Sequence, residues 1–144
     1  MRVAAAIVRS MPLLYAPLAF LTARRIVVRG RSMTPTLLPG ERVLFDRLAY
    51  QEGRPEVGDI VLARHPARLG LLMIKRIAAV PGDCVPRRDD PAGRLAAFGH
   101  DEYILLGDNP ESSTDSRELG PFRRKGIVAR GWLIYWPPER FRRL

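Results

Sequence analysis

The feature that most limits the fold of this chain is a series of short apolar runs separated by glycine, proline and aspartate. No long helical period of apolar residues appears beyond the N-terminus. Short runs rich in β-branched and aromatic residues, bounded by turn residues, are typical of strands in a β-barrel or sandwich. The sequence therefore predicts a mainly β domain, with strands near residues 26–28, 42–45, 59–63, 71–80, 103–106 and 127–136.

Two places interrupt this strand pattern. Residues 84–102 mix proline, glycine and charged residues, and we expect a loop or a small irregular excursion there. Gly131 falls inside the last and longest apolar run, where a glycine indicates a bulge or a bend.

The N-terminus differs from the rest of the chain because residues 3–23 are mostly apolar. The stretch is near the roughly 20 residues that a membrane-spanning helix needs, but Arg9, Pro12 and Pro17 interrupt it. Three interpretations are open: a weak single-span anchor, an interfacial helix, or a cleavable signal peptide, the last disfavoured because no small-x-small site precedes Arg24. We predict an N-terminal apolar helix over residues 1–25 and a separate domain over residues 26–144.

The charge balance is strongly basic, with a net charge of +9 over 144 residues and a pI near 10.9. Such a surface favours anionic partners, either lipid headgroups or nucleic acid. The arginines that directly follow the apolar stretch outnumber those before it, which favours the cytoplasmic side for the bulk of the chain. A single cysteine, Cys84, excludes an internal disulfide and a multi-cysteine metal site, and no cofactor is expected.

Lysine is rare here: only two of the 24 basic residues are lysines, and Lys75 lies inside an apolar run. Arginine cannot lose its proton in a protein, whereas burial can make a lysine neutral. In strand geometry Lys75 shares a face with Met73 and Ile77. A matching nucleophile is Ser32, which follows Gly30 and precedes Pro35 in a turn-rich segment. Each residue alone has a structural explanation, since a lysine can extend its ammonium to water and a loop serine can cap a turn.

Four ordered segments of the chain resemble the boxes of the signal peptidase I family. They are Ser32-Met33-Thr34-Pro35-Thr36-Leu37, Gly58-Asp59-Ile60-Val61, Lys75-Arg76-Ile77 with Pro81-Gly82-Asp83, and Gly107-Asp108-Asn109 followed by Ser113 and Asp115-Ser116-Arg117. The resemblance covers roughly residues 28–136 and implies a serine/lysine endopeptidase with a signal-peptidase-like β-barrel or sandwich.

The same resemblance implies roles for single residues. Ser32 would be the nucleophile, Lys75 the general base and Ser113 the residue that orients the lysine. Met33 would line the substrate groove. The polar residues that brace the site would be Asp108, Asp115 and Arg117.

One position departs from the family pattern. Some members carry a hydroxyl residue two positions before the nucleophile, where this chain has Gly30. We therefore expect backbone N–H groups to stabilise an oxyanion here.

Within the family, the chain is similar to the nickel-type superoxide dismutase maturation proteases, through Pro39-Gly40-Glu41, Ala63-Arg64-His65-Pro66 and the segment after Gly107. The intact Pro81-Gly82-Asp83 box is instead more typical of general signal peptidases, which act on secreted preproteins outside the cytoplasm. Both alternatives imply a precursor polypeptide as substrate, contact with membrane lipid, and a monomer that binds no nucleic acid.

Rival functions have weaker support in the sequence. The two histidines, His65 and His100, have no evident partner for a histidine-based triad. A self-cleaving repressor would need a DNA-binding module that the first 28 residues cannot form. The non-enzymatic alternative is a basic β-barrel that binds nucleic acid or anionic lipid, but Trp132 and Trp136 share a face with Val128 and Ile134, which is more typical of core packing.

Overall fold

A computed structural model describes residues 12–86, 95–97 and 99–144 of the chain. The described part is mainly antiparallel β structure with short helices, as the sequence predicts. The helices are α1 (Pro12–Thr22), α2 (Ala49–Glu52) and α3 (Ser116–Leu119), with 3-10 turns at Pro110–Ser112, Arg124–Gly126 and Pro138–Arg140. The strands are β1 (Arg24–Val27), β2 (Arg42–Asp46), β3 (Ile60–Arg64), β4 (Leu72–Ala79), β5 (Cys84–Pro86), β6 (Leu95–Ala97), β7 (Glu102–Leu106), β8 (Phe122–Arg123), β9 (Ile127–Trp136) and β10 (Arg142–Arg143).

The main sheet has the strand order β1-β2-β9-β3-β4-β7-β8, and β10 also pairs with β9. The long strand β9 therefore lies between β2 and β3 and joins the two halves of the sheet. The pairing of β2 with β9 shifts register between Leu44 and Phe45, which face Leu133 and Gly131. This irregularity confirms the bulge that Gly131 indicates in the sequence.

Strand β3 is buried on both faces, and this divides the core into two clusters. Ile60 and Leu62 pack in one cluster, with Phe45 and Met33, whereas the alternate residues of β3 pack in the other. That alternation follows from the two-residue period of a strand. The first cluster includes Met33, the residue next to Ser32, so packing in the core holds the segment that carries Ser32 in place.

The apolar N-terminal helix appears as α1, which is attached to the sheet through the Tyr15 hydroxyl, a hydrogen-bond donor to Asp46. The first nine residues of the apolar stretch, 3–11, lie outside the described residues. Within the described part of the chain, no helix is both long enough and apolar enough to cross a membrane.

The segment predicted as a loop or small excursion contains two short strands among its described residues. Strands β5 and β6 pair antiparallel, with Cys84 opposite Ala97, and form a separate two-stranded sheet. Three-residue strands containing proline and alanine have no apolar alternation, which explains why the sequence pattern does not predict them.

Candidate active site

The segment that carries Ser32 connects β1 to β2 and is a series of turns. Its backbone is held by hydrogen bonds from the N–H of Thr34 to the carbonyl of Arg31 (3.1 Å) and from the N–H of Leu37 to the carbonyl of Met33 (2.8 Å). Met33 and Leu37 are 2% and 0% exposed and anchor the segment in the core. Ser32 itself is only partly buried. Its hydroxyl is thus presented at the surface from a backbone that packing holds in place.

Gly30 has a φ of +74°, in the left-handed region that L side chains rarely adopt. A Cβ added there would meet nothing within 4 Å, so the requirement for glycine is conformational and not steric. The turn at Gly30 leads directly into Ser32. Within the described residues, the N–H group of Ser32 donates no hydrogen bond. It is therefore a free donor beside the hydroxyl.

Ser32 and Lys75 line the same groove, which has a volume of about 410 Å³. Its walls come from β1, the turns after β1, Leu62 of β3 and residues 71–75. Most of the lining is apolar, and the polar side chains contributed by described residues are Arg29, Ser32 and Lys75. Two residues that lie 43 positions apart in sequence (75 − 32) are thus brought to one site by the sheet.

Lys75 lies within β4, opposite Val61 of β3, and is 3% exposed. Burial lowers the pKa of its amine, Asp115 partly counteracts this shift, and Arg117 lowers the pKa further. Within the described residues the amine makes no hydrogen bond or ion pair. The environment therefore favours the neutral amine, which is the form that can accept a proton.

A buried carboxylate organises the loop after β7. Asp115 is 0% exposed and accepts hydrogen bonds from the Ser113 hydroxyl (2.7 Å), the Gly107 N–H (2.8 Å) and the Arg117 guanidinium (2.6 and 2.8 Å). Burial alone would raise the pKa of Asp115, but these donors outweigh burial and hold the pKa well below its usual range. Asp115 is therefore a fixed negative charge that acts on Lys75 from within the loop.

This loop also contacts the backbone of Ser32. The N–H of Asn109 donates to the carbonyl of Ser32 over 2.9 Å. At Gly107 an added Cβ would lie 2.1 Å from the Ser113 hydroxyl and 2.6 Å from the Ser32 carbonyl oxygen. Only glycine fits between these two serines, so Gly107 sets the separation of the loop from the Ser32 segment.

Arg76, in the third sequence box, contacts the other three boxes. Its guanidinium donates to both Asp108 oxygens (2.8 and 2.7 Å), to the Gly58 carbonyl (2.8 Å) and to the Thr36 hydroxyl (3.4 Å). The hydrogen bonds that Arg76 donates to Asp108 raise the pKa of Arg76 despite its partial burial. Because Arg76 follows Lys75 in a strand, its side chain points away from the amine. Its hydrogen bonds join the segments that surround the groove.

The sequence was compared with known protein families. It matches the model of the family described as signal peptidase, peptidase S26, at residues 1–93 and 91–136. The chain belongs to this signal peptidase family. The chain is therefore a peptidase of this family, and the matched residues include Ser32 and Lys75.

Relatives of this signal peptidase family member come from organelles and bacteria. This chain is 37% identical over 121 residues to the mitochondrial ATP-independent inner membrane protease subunit 1a of Arabidopsis thaliana, and the match covers 79% of this chain and 71% of the relative. It is 32% identical over 142 residues to the chloroplastic thylakoidal processing peptidase 1 of the same plant, covering 78% of this chain and 42% of the relative. It is 28% identical over 153 residues to a probable signal peptidase I-1 of Synechocystis sp., covering 88% and 78%.

The structure brings most of the predicted site residues together. Met33 lines the groove with Ser32 and Lys75, although its side chain is almost fully buried. Ser113, for which the resemblance implies a hydrogen bond to the lysine, instead donates to Asp115. The resemblance implies a brace of three polar residues, and the structure has two separate ion pairs: Arg117 with Asp115, and Arg76 with Asp108.

Three residues of the site were assigned no role from the sequence: Arg76, Gly107 and Asn109. All three lie inside the boxes, and that position is the only signal that could have identified them. Each of them has a contact that is distant in sequence, Arg76 with Asp108 and the other two with Ser32, and spacing alone does not reveal such contacts.

Proposed function

We propose that this chain is a serine endopeptidase in which Ser32 is the nucleophile and Lys75 the general base. The observation that supports this most directly is that a partly exposed hydroxyl and a buried, unpaired amine line one groove. A serine is weakly nucleophilic unless a neighbouring base removes its proton, and a desolvated lysine can do so. No histidine lines this groove among the described residues.

In the first step the neutral amine of Lys75 takes the proton of the Ser32 hydroxyl while its oxygen attacks the scissile carbonyl carbon. The carbonyl oxygen becomes an oxyanion, and the free N–H of Ser32 is the donor that stabilises it, a contribution typically worth about 3–4 kcal/mol. The intermediate collapses, the C–N bond breaks, and the leaving amine takes the proton from the Lys75 ammonium. An ester between Ser32 and the leader remains.

In the second step Lys75, neutral again, takes a proton from a water molecule that attacks the ester carbonyl. The ester C–O bond breaks, the proton returns to the Ser32 oxygen, and the leader leaves with a free carboxyl group. Asp115, Ser113 and Arg117 do not touch the reacting atoms in this scheme. Their contacts hold the loop after β7 in place, and the charges of Asp115 and Arg117 shift the pKa of the Lys75 amine.

The substrate in this proposal is a precursor polypeptide, and two kinds are supported by different observations. The segments similar to nickel-type superoxide dismutase maturation proteases favour the precursor of that enzyme. The intact Pro81-Gly82-Asp83 turn and the organellar and bacterial relatives favour secretory or translocated preproteins.

The same proposal includes association with a membrane through α1 and a monomeric state. Apolar α1, with Phe20 and Leu21 exposed, supports contact with lipid. The arginines after α1 favour the cytoplasmic face for a maturation protease, whereas a general signal peptidase would act on the other side.

The dyad is tested by three variants. We expect Ser32→Ala and Lys75→Arg each to lower kcat/KM for a leader peptide by more than about 1000-fold, because each removes one partner of a unit. Lys125→Arg, at the only other lysine in the chain, is the matched control and should retain activity. Circular dichroism and thermal unfolding check that the variants fold. Robust turnover by Lys75→Arg would refute lysine as the base.

The substrate is tested by incubating the protein with a nickel-type superoxide dismutase precursor and, separately, with a secretory preprotein. Mass spectrometry of the new N-termini reports where each is cut. Cleavage of only the first precursor at its leader junction supports a dedicated maturation protease, and cleavage of the second supports a general signal peptidase. Failure of both with an intact fold would contradict leader removal as the function.

A further inference from the structure

A second pocket, beside the connection between β2 and β3, is lined by three basic side chains. It has a volume of about 370 Å³ and lies where α1 ends, α2 begins and strands β3 and β9 meet. Arg47 enters it from the turn before α2, Arg64 from the last residue of β3, and Lys125 from the 3-10 turn before β9. Thr22 and Gln51 add neutral polar groups.

The position of these cations is fixed by the sheet. Ala63, the residue before Arg64, is paired with Ile127, so Arg64 and Lys125 lie at the same end of neighbouring strands. Arg124, next in sequence to Lys125, is by contrast committed elsewhere, since its guanidinium donates to the carbonyl oxygens of Tyr50 and Ile127. The backbone therefore places these three residues around one pocket, where their side chains are exposed.

None of the three cations is neutralised by the described part of the protein. The side chains of Arg47, Arg64 and Lys125 make no hydrogen bond or ion pair there, although Arg76, Arg117, Arg130 and Arg140 each pair with a carboxylate. No acidic side chain is among the described residues that line the pocket. The nearest carboxylate in sequence, Asp46, is buried and accepts hydrogen bonds from Tyr15 and from the N–H of Leu48.

Three like charges around one pocket repel each other, and an anion that binds between them removes that repulsion. A tetrahedral phosphate fits this donor set, because guanidinium groups bind its oxygens in pairs and an ammonium adds a point charge. Two neutral hydrogen-bonding side chains at the rim can bind the remaining oxygens. The chemistry of the pocket thus selects a phosphate group.

The surface beside the pocket identifies where this phosphate comes from. Thr22, which lines the pocket, ends α1, and the preceding residues Phe20 and Leu21 are 47% and 76% exposed. Apolar side chains directly next to unpaired cations are typical of a protein surface at the level of lipid headgroups. We propose that Arg47, Arg64 and Lys125 bind the phosphate group of an anionic lipid while the end of α1 contacts its acyl chains.

The test measures binding of the full chain, as Ser32→Ala, to vesicles by sedimentation. Vesicles of phosphatidylcholine alone are compared with vesicles containing one fifth phosphatidic acid. We expect the phosphatidic acid to tighten binding and the charge reversals Arg64→Glu and Lys125→Glu each to weaken it by at least about fivefold. Arg68→Glu is the matched control, an exposed arginine outside the pocket that makes the same change in net charge.

Each outcome has one meaning. Losses confined to the pocket variants support the site, and equal losses for Arg68→Glu and Arg64→Glu would overturn it, because net charge would then explain the binding. Inorganic phosphate, added in a thermal unfolding assay, distinguishes the source of the phosphate. A rise in Tm that Arg64→Glu abolishes, without any preference for phosphatidic acid vesicles, would contradict a lipid ligand and assign the pocket to free phosphate. Neither vesicle binding nor thermal unfolding depends on peptidase activity, so a negative result in both would leave the proposed peptidase function unaffected.

Discussion

At the scale of single residues, the burial of Lys75 lowers the stability of the fold and also lowers the pKa of its amine. The folded chain removes its amine from water, and the nearest fixed negative charge, Asp115, is committed to Ser113, Gly107 and Arg117. Burial therefore outweighs the attraction of Asp115, and the pKa of the amine is lowered. A lysine that destabilises the protein when charged can accept a proton when neutral, as the proposed mechanism requires.

The pH dependence of peptide cleavage follows from this shift. Below the lowered pKa of Lys75 the base is protonated, so we expect kcat/KM to rise by roughly tenfold per pH unit and then to level off once the amine is neutral. Initial rates with a leader peptide between pH 5 and 10 check the profile. Lys125→Arg should give the same curve. A profile that is flat across this range would contradict lysine as the base.

We expect the protein to become more stable at neutral pH when Lys75 is replaced by methionine, a side chain of similar length without charge. Because the folded pKa lies below the unfolded value of about 10.4, the unfolded chain binds more protons between the two pKa values. The penalty of burial is thus complete below the folded pKa and disappears above the unfolded one. We expect Lys75→Met to raise the free energy of unfolding by about 1–4 kcal/mol at pH 7 and by nothing near pH 11.

Urea unfolding at the two pH values measures this difference. A variant less stable than the parent at neutral pH would show that the lysine makes contacts that outweigh its burial. Ser32→Ala measured alongside reports the effect of removing the other partner, and we expect its stability to change little because Ser32 is only partly buried.

How far the site could be predicted depends on the kind of contact. Ser32 and Lys75 were identified because each has a local signature, a turn-rich serine and a lysine among aliphatic residues, and because four boxes occur in order. The partner of Ser113 could not be read in this way, since a hydroxyl rotates to suit its surroundings and its bond to Asp115 forms within the folded loop. The links made by Arg76 depend on long-range closure and carry no local signature.

At the scale of elements, long strands were easier to predict than short ones. The sequence places β9 at residues 127–136, as observed, because ten residues show a clear apolar pattern bounded by glycine and proline. Strands β8 and β10 have two residues each and no pattern of their own. They pair with β7 and β9 because the turns before them end next to open strand edges.

The approach of the loop after β7 to the Ser32 segment is the element-level contact on which the site depends. We expect Gly107→Ala to abolish most activity, since its Cβ would overlap the Ser113 hydroxyl and the Ser32 carbonyl oxygen and push the two segments apart. The expected loss in the free energy of unfolding is about 1–3 kcal/mol. Kinetics with a leader peptide and thermal unfolding measure both.

Gly126→Ala is the matched control, because an added Cβ there meets nothing within 4 Å and the substitution adds the same atom. Activity should fall far more in Gly107→Ala than its loss of stability explains. Equal activity in the two alanine variants would show that the distance between loop and nucleophile does not matter for cleavage.

At the scale of the whole molecule, the C-terminal segment is fastened to the connection that carries Ser32. Arg140 pairs with Glu41, a carboxylate that is 3% exposed and that also accepts from the N–H of Leu38 (2.8 Å). Arg142 donates to the carbonyl of Thr36 over 2.6 Å. These contacts join residues about 100 positions apart, so the C-terminal segment closes the structure around the segment that carries Ser32.

This closure predicts that a substitution far from the groove will impair cleavage. Arg140→Ala leaves the buried Glu41 carboxylate without its cation, and because Arg140 itself is 35% exposed we expect a loss of about 1–3 kcal/mol in the free energy of unfolding. The turns before Glu41 should loosen, so kcat/KM should fall with the fold intact. Arg143→Ala removes the same kind of charge from β10, three residues further on, where the described part of the chain gives it no ion pair, and we expect its stability to change by less than about 0.5 kcal/mol. Identical urea midpoints for the two variants would contradict the closure, because Arg140 pairs with Glu41 and Arg143 does not.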